Sequence, residues 1–318
     1  MISAAGRQWF LIALALVLFG GAVWHTELVP FAERIPRDPL VAAILLAMSA
    51  PIDLRRSLSG PRAGVAAAIG IGVNSLLAGP LAWVASRLLN EQLAIGLIVA
   101  ALAPCTMASA AVWTRRGGGN DAVALTVTVV TNVLTFVLLP AWAWLLVGSQ
   151  QSVDAVALGL RLFLIVVVPI AAGQAIRSVR PLRYWCDSHR KGLSLFAQLG
   201  LLGMVLSGAV RSGALLEDPA TRLGVSDWGL LLVLAALVHV ALFVIAWWLA
   251  RSAGANWPEA LAAAVAGSQK TLAVGLSVAM SFGPLAILPM IVYHGLQLLI
   301  DTVLVERLGN RGGDAAGG

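Results

Sequence analysis

Hydrophobic positions in this chain come in long blocks rather than at alternating or amphipathic spacing. Trp9–Val23, Leu93–Val112, Gly229–Ala250 and Leu285–Val305 are nearly free of charge, and Ala63–Ala85 has few polar interruptions. Such blocks approach the roughly 20 residues that an α-helix needs to cross a bilayer, and a helix apolar on every side has no water-facing stripe. Turn residues and charges divide the chain into ten expected helices, at 8–25, 39–51, 62–86, 92–114, 121–147, 155–176, 191–212, 228–250, 258–281 and 284–306. The pattern predicts an all-α polytopic membrane protein with ten transmembrane helices. Pro39 and Pro51 bracket the second segment. It is short for a full crossing, so it is expected to tilt, to run past Pro51, or to lean on protein rather than lipid.

Composition agrees, with 59% hydrophobic and 11% charged residues, about half the charge of a soluble domain. Arg7 precedes the first block as in a secretory signal, but no small-x-small cleavage site follows, so that block is expected to be a span. The net charge of +6 is carried mainly by arginines beside apolar segments, which suits membrane lipid headgroups and not nucleic acid. With the N-terminus, fourteen basic residues fall on one side: Arg7, Arg55, Arg56, Arg62, Arg115, Arg116, Arg177, Arg180, Arg183, Arg190, Lys191, Arg251, Arg307 and Arg311. Six fall on the other: Arg34, Arg37, Arg87, Arg161, Arg211 and Arg222. The positive-inside rule then puts both termini in the cytoplasm, and the Arg177–Lys191 stretch reads as topogenic, headgroup-binding charge. Cys105 and Cys186 fall in a helix and in a polar loop, which argues against a disulfide.

The least charged connection, Gly148–Ser152, splits the chain into halves, 1–148 and 149–318. Each half has five helices, an odd number, so any repeat between them is an inverted one, an arrangement common in secondary transporters. The fourth helix follows Asn90-Glu91 and is interrupted at Ala103-Pro104; the ninth follows Asn256 and Glu259 and is interrupted at Gly267-Ser268. Unwound backbone at such breaks can hold ions or substrate. Lys270 lies about twelve residues from either end of the ninth helix. A charge there costs about 2.5–3.5 kcal/mol to insert, and it is too deep to reach the interface, so it points to function. On the tenth helix His294, Gln297 and Asp301 share a face, bordered by Tyr293, and Asp301 is a candidate partner for Lys270. The fifth helix carries the stripe Asp121, Thr128, Asn132 and Thr135, with Thr131 beside it, opposite Cys105, Thr106 and Ser109. Ser268 and Gln269 flank Lys270, whereas Asn74 and His239 lack polar companions at helical spacing and read as structural. Gly117–Gly119 reads as a tight turn. The motifs of metalloproteases, serine hydrolases and phosphate-binding loops are absent from the sequence, so an enzyme is not expected.

Ala103-Pro-Cys-Thr-Met-Ala-Ser109, Gly119-Asn120 and Gly267-Ser-Gln-Lys-Thr-Leu-Ala273, set in a ten-span inverted layout, resemble the bile acid:sodium symporter superfamily. The likeness is closest to the bacterial sodium-symporter-like branch of solute carrier family 10. It implies two inverted repeats of five helices, with broken crossing helices 4 and 9, arranged across both halves as a core and a panel domain. It also implies alternating-access transport of a small organic anion across the bacterial inner membrane, without a cofactor, with sodium or a proton as coupling ion. The implied ion and substrate residues are Cys105, Thr106, Ser109, Asn120, Thr128, Asn132, Ser268, Gln269, Lys270, His294, Gln297 and Asp301. Ser109, Thr128 and Gln269 keep positions that ligate sodium in relatives, but Ala110, Ala124 and Val265 replace other ligands, and Lys270 stands where an asparagine is usual. No metal site follows from this set. The lysine is expected to take the place of bound sodium.

Two other readings stay open. Arsenite carriers of the same superfamily also have a cysteine at the position of Cys105, although they carry an acidic residue near that of Lys270. A regulatory membrane protein of ion homeostasis is the alternative from a different class. Substrate and oligomeric state are not fixed by the sequence.

Overall fold

The computed structural model describes residues 4–53, 60–107, 109–148, 152–217 and 223–314. Arg55, Arg56 and Arg222 of the charge count, and the division between residues 148 and 149 on its second side, lie outside them. Among the described residues the chain is helical without strands, as it must be where lipid offers the backbone no hydrogen-bond partner. The helices are α1 (Ala4–Val23), α2 (His25–Ala32), α3 (Arg37–Ser49), α4 (Pro61–Ser86), α5 (Glu91–Leu102), α6 (Ala110–Arg116), α7 (Asp121–Val147), α8 (Ala155–Ser178), α9 (Arg180–Ser188), α10 (Arg190–Glu217), α11 (Val225–Ser252), α12 (Trp257–Ser268), α13 (Leu272–Phe282) and α14 (Ile287–Asp314).

Among the described residues, seven segments are long and apolar enough to cross a membrane: α4, α7, α8, α10, α11, α12 with α13, and α14. The pair α1–α2 makes an eighth. That pair departs from the straight helix expected over 8–25. It bends by 108° at Trp24 and runs on to Ala32. The bend packs on α10 at Gly213, where a Cβ would stand 2.9 Å from the His25 ring. Of the alternatives open for the second segment, α3 does not run past Pro51 but ends at Ser49, and it leans on protein: Val41, Ile44, Leu45 and Ala47 are buried against α8 and α10.

Two groups of helices result. One gathers α1, α2, α3, α8 and α10; the other gathers α4 to α7 and α11 to α14. In the second group two helices are interrupted. Asn90 caps α5 by accepting from Leu93 N, and Asn256 forms a reciprocal box with Glu259 at the start of α12, the satisfaction of free N–H groups that such sequences provide. At the other end α5 gives way to extended backbone at Ala103, and Pro104 cannot resume it.

The second break differs from the Gly267-Ser268 position expected from sequence. Those residues end α12, and the unwound stretch is Gln269–Thr271. Gly267 serves close packing instead: a Cβ there would lie 3.2 Å from the Ala246 methyl. Gly118 does make the expected turn, with φ +77 and Gly119 N donating to Thr114 O at 2.8 Å. Cys186 is in α9, not in a loop, and is buried; both cysteines are free.

Candidate functional site

The two breaks meet at the centre of the second helix group, where Thr271 N donates to Pro104 O at 2.8 Å. Unwinding frees backbone groups that a helix would bond, and each must find another partner. Around the first break α7 supplies them. Thr131 Oγ1 accepts from Cys105 N at 3.1 Å, Asn132 Nδ2 donates to Cys105 O at 2.8 Å, and the Cys105 thiol lies 3.3 Å from Thr128 Oγ1. The stripe of α7 is therefore a backbone clamp. Thr106 is buried beside it.

Around the second break α4, α11 and α14 do the same. Gln297 holds both backbone groups of one residue, accepting from Lys270 N at 2.8 Å and donating to Lys270 O at 2.9 Å. His294 Nδ1 stands 3.3 Å from that same carbonyl. Tyr293 OH donates to Ser268 O at 3.1 Å, and His239 Nδ1 lies 3.3 Å from it. Asn74 Nδ2 donates to three carbonyls, those of Ala266, Gly267 and Gln269, at 3.1–3.2 Å. Asn74 and His239, read from sequence as isolated structural residues, are thus members of the site.

Lys270 is fully buried and Asp301 is not its partner. Asp301 is occupied by His239 Nε2 at 2.9 Å and by the Gln269 side-chain amide. Among the described residues the ammonium makes one hydrogen bond, Nζ to Asn74 O at 2.7 Å. That carbonyl is available because α4 carries a π-bulge over Val73–Leu77: Ala78 N reaches back to Val73 O rather than to Asn74 O. Bulges of this kind recur at functional sites for this reason.

Of the three residues expected from the resemblance to keep sodium-ligand positions, Ser109 and Gln269 bond each other and Thr128 bonds its own helix. Ser109 Oγ donates to Gln269 Oε1 at 2.8 Å, and Thr128 Oγ1 donates to Ala124 O at 2.8 Å. Ser268 Oγ folds back onto its own helix, donating to Ala264 O. Asn120 caps α7, accepting from Ala122 N, while its own N donates to Pro258 O; it joins α7 to α12 and stands outside the buried network. Beside the breaks a void of about 10 Å³ is lined by Asn74, Pro104, Thr131 and Thr135. Asn74 Oδ1 and Thr135 Oγ1 have no hydrogen-bond partner among the described residues.

A larger cavity of about 560 Å³ opens between the two helix groups, lined by Met107 near the first break and by Arg115, Asp121, Arg177, Asp187 and Arg190. None of the twelve site candidates lines it. Its charges are bonded: Arg115 to Asp121 at 2.6 Å, Arg177 to Asp187 at 2.8 Å, and Arg190 to Pro51 O at 2.6 Å. The bonded Arg177 guanidinium holds the Asp187 carboxyl below the usual carboxylate range. Arg177 and Arg190, expected to face headgroups, both line this cavity, and Arg190 is also exposed. Asp121, placed by spacing on the α7 stripe, belongs to this cavity.

Residues 40–310 match the SBF-like CPA transporter family. The chain belongs to that family. This places it in the bile acid:sodium symporter superfamily, as an integral membrane transporter and not an enzyme. Members of the superfamily span its length. Sodium/bile acid cotransporter 7 of Xenopus tropicalis is 23% identical over 322 residues, 95% of this chain and 92% of that protein. The probable chloroplastic sodium/metabolite cotransporter BASS4 of Arabidopsis thaliana is 29% identical over 242 residues, 72% of this chain and 56% of that protein. An uncharacterized protein of Pseudomonas aeruginosa is 28% identical over 244 residues, 73% of this chain and 70% of that one.

In this SBF-like transporter the Asn74 amide ties together the carbonyls that end α12. Asn74→Leu is expected to loosen the second break and to lower stability by about 2–3 kcal/mol, since buried carbonyls lose their donor. Thermal unfolding in detergent, compared with Ser75→Ala next to it, measures the loss.

Proposed function

We propose that this transporter carries a small organic anion by alternating access, with the Lys270 ammonium in the place that a sodium ion takes in related carriers. The observation that carries the reading is Lys270 Nζ, fully buried and bonded to Asn74 O, in the residue that follows Gln269, whose side chain bonds Ser109. An ammonium and a sodium ion are both monovalent cations that seek oxygen ligands. Where the lysine stays in place through the cycle, no sodium gradient is needed; where it exchanges a proton, a pH gradient drives uptake.

The ten-span, inverted-repeat organisation belongs to the same reading. A long helix, a broken pair and another long helix succeed one another twice, as α4 to α7 and as α11 to α14. The group containing the breaks then acts as the core and the group with α3, α8 and α10 as the panel. On this topology both termini are cytoplasmic, the chain sits in a bacterial inner membrane, and the cavity at Arg115, Arg177 and Arg190 opens inward. The printed names of the relatives, cotransporters of bile acid or of metabolites with sodium, agree with a carrier of organic solutes. Cys105 has its thiol on Thr128 and no second thiol beside it among the described residues, so nothing in the site favours arsenite.

The test is uptake of a panel of organic anions, bile acids included, into proteoliposomes with an imposed sodium or pH gradient. Uptake driven by a pH gradient, or by the anion gradient alone, is expected. Uptake that requires sodium would overturn the role given to Lys270.

A further inference from the structure

A polar cluster outside the site described above joins the two helix groups at the far end from the cavity. Arg161 of α8 holds Asp38 of α3 in a two-pronged bond, Nε to Oδ2 at 2.8 Å and Nη2 to Oδ1 at 2.6 Å. The same guanidinium reaches across to α13 of the other group, donating to Ser281 Oγ at 2.8 Å and to Ser277 Oγ at 3.0 Å. Arg161 is about two turns into α8, whereas Arg177, which lines the cavity, is near its end. The two are roughly 24 Å apart along the axis at 1.5 Å per residue. α3 shows the same polarity, with Asp38 at its start and Ala47 and Met48 on the cavity.

So one end of the interface between the groups is open and the other is closed, with Arg161, Arg37 and Ser212 all bonding across it. Any exchange of the open end must break these bonds, because Ser277 and Ser281 ride on the broken helix pair while Arg161 and Asp38 do not. The fastening is also rich in positive charge. Arg37 and Arg211 lie within electrostatic reach of one another, and Arg37 of Arg161. Arg37 bonds only to the Met280 sulfur, at 3.9 Å, and Asp38 is the one carboxylate paired with any of the three arginines among the described residues. The guanidinium fork that Asp38 fills accepts any carboxylate in the same two-pronged geometry, and two further arginines favour an incoming anion.

We propose that this cluster is the outer gate of the carrier and a binding site for the carboxylate of an anionic solute, with Asp38 standing in for that carboxylate while the gate is shut. The solute exchanges with Asp38 on Arg161, the bonds to Ser277 and Ser281 are lost, and the outer mouth opens. The inference rests on the carrier reading for its use, but its test needs no transport and does not involve Lys270.

Ser277 is fully buried beneath Arg161, so Ser277→Cys reports opening through its reaction with a polar methanethiosulfonate reagent. The rate is read by mass spectrometry on the full chain in lipid nanodiscs, where both native cysteines are buried. Asp38→Asn is expected to speed labelling about tenfold, the effect of weakening a charge-assisted bond, while Asp38→Glu keeps it slow. Millimolar benzoate is expected to speed labelling when Asp38 is present, and benzamide, its neutral analogue, is not. Labelling unchanged by Asp38→Asn, in protein whose thermal unfolding shows it is folded, would overturn the gate. Benzoate no more effective than benzamide would overturn the carboxylate site.

Discussion

Asp301→Ala is expected to destabilise the protein by about 2–6 kcal/mol, since it takes the acceptor from a buried imidazole and a buried amide at about 1–3 kcal/mol each. Both carboxylate oxygens are committed, one to His239 Nε2 at 2.9 Å and the other to the Gln269 amide, and neither Asp301 nor His239 is exposed. Truncation leaves an imidazole and an amide without acceptors in a region that water does not reach, and each unpaired donor has its own desolvation cost. The damage spreads further, because Gln269 is the link from Asp301 to Ser109 of the first break. With its amide free, Gln269 turns and the two breaks lose a tie. Asp301→Asn keeps the shape and one acceptor oxygen, so its loss is expected to be the smaller. Thermal unfolding of the three proteins in the same detergent checks the order. An unchanged midpoint in Asp301→Ala would mean that the carboxylate contributes nothing to the breaks.

Much of this was legible in the chain because membrane helices write long apolar blocks and because polar residues within them are costly enough to mark purpose. His294, Gln297 and Asp301 share a face at three- and four-residue spacing, and all three do converge on the second break or its neighbour Gln269. The asparagines before α5 and α12 cap those helices. What spacing could not show is contact between helices. Asn74 and His239 each stand alone on their own helices, so periodicity gave them no companions, yet both bond the end of α12. The pairing expected between Lys270 and Asp301 failed for a related reason. Asp301 is already filled by His239 of α11 and Gln269 of the break, and the ammonium goes to a carbonyl freed by a π-bulge, which no residue pattern announces. The cavity arginines were hidden by their chemistry: Arg177 and Arg190 look the same in sequence whether they meet headgroups or line a cavity.

Lys270→Met is expected to reduce transport at least 100-fold while changing stability by no more than about 1 kcal/mol, an outcome that separates function from fold. Two opposing terms set the stability. Burying an ammonium at this depth costs about 2.5–3.5 kcal/mol, a cost that methionine of similar length removes. Against it stand the bond from Nζ to Asn74 O at 2.7 Å, worth about 1.5–3 kcal/mol as a charge-assisted bond, and the exposure of that carbonyl to no other donor. The terms nearly cancel, so the fold has little reason to retain the lysine. Transport does have one. The main-chain bonds of the second break, through Gln297 and Asn74, survive the substitution, but the only ammonium buried among the described residues is gone, and with it the fixed positive charge at Asn74 O. Lys270→Arg tests whether charge alone suffices: the larger guanidinium has no room in a fully buried site, so it is expected to fail despite keeping the charge. Uptake into proteoliposomes and thermal unfolding, measured on the same preparations, decide the matter. A large drop in stability with transport per folded molecule unchanged would make Lys270 a packing residue, and sodium-dependent uptake persisting in Lys270→Met would show that the lysine never took sodium's place.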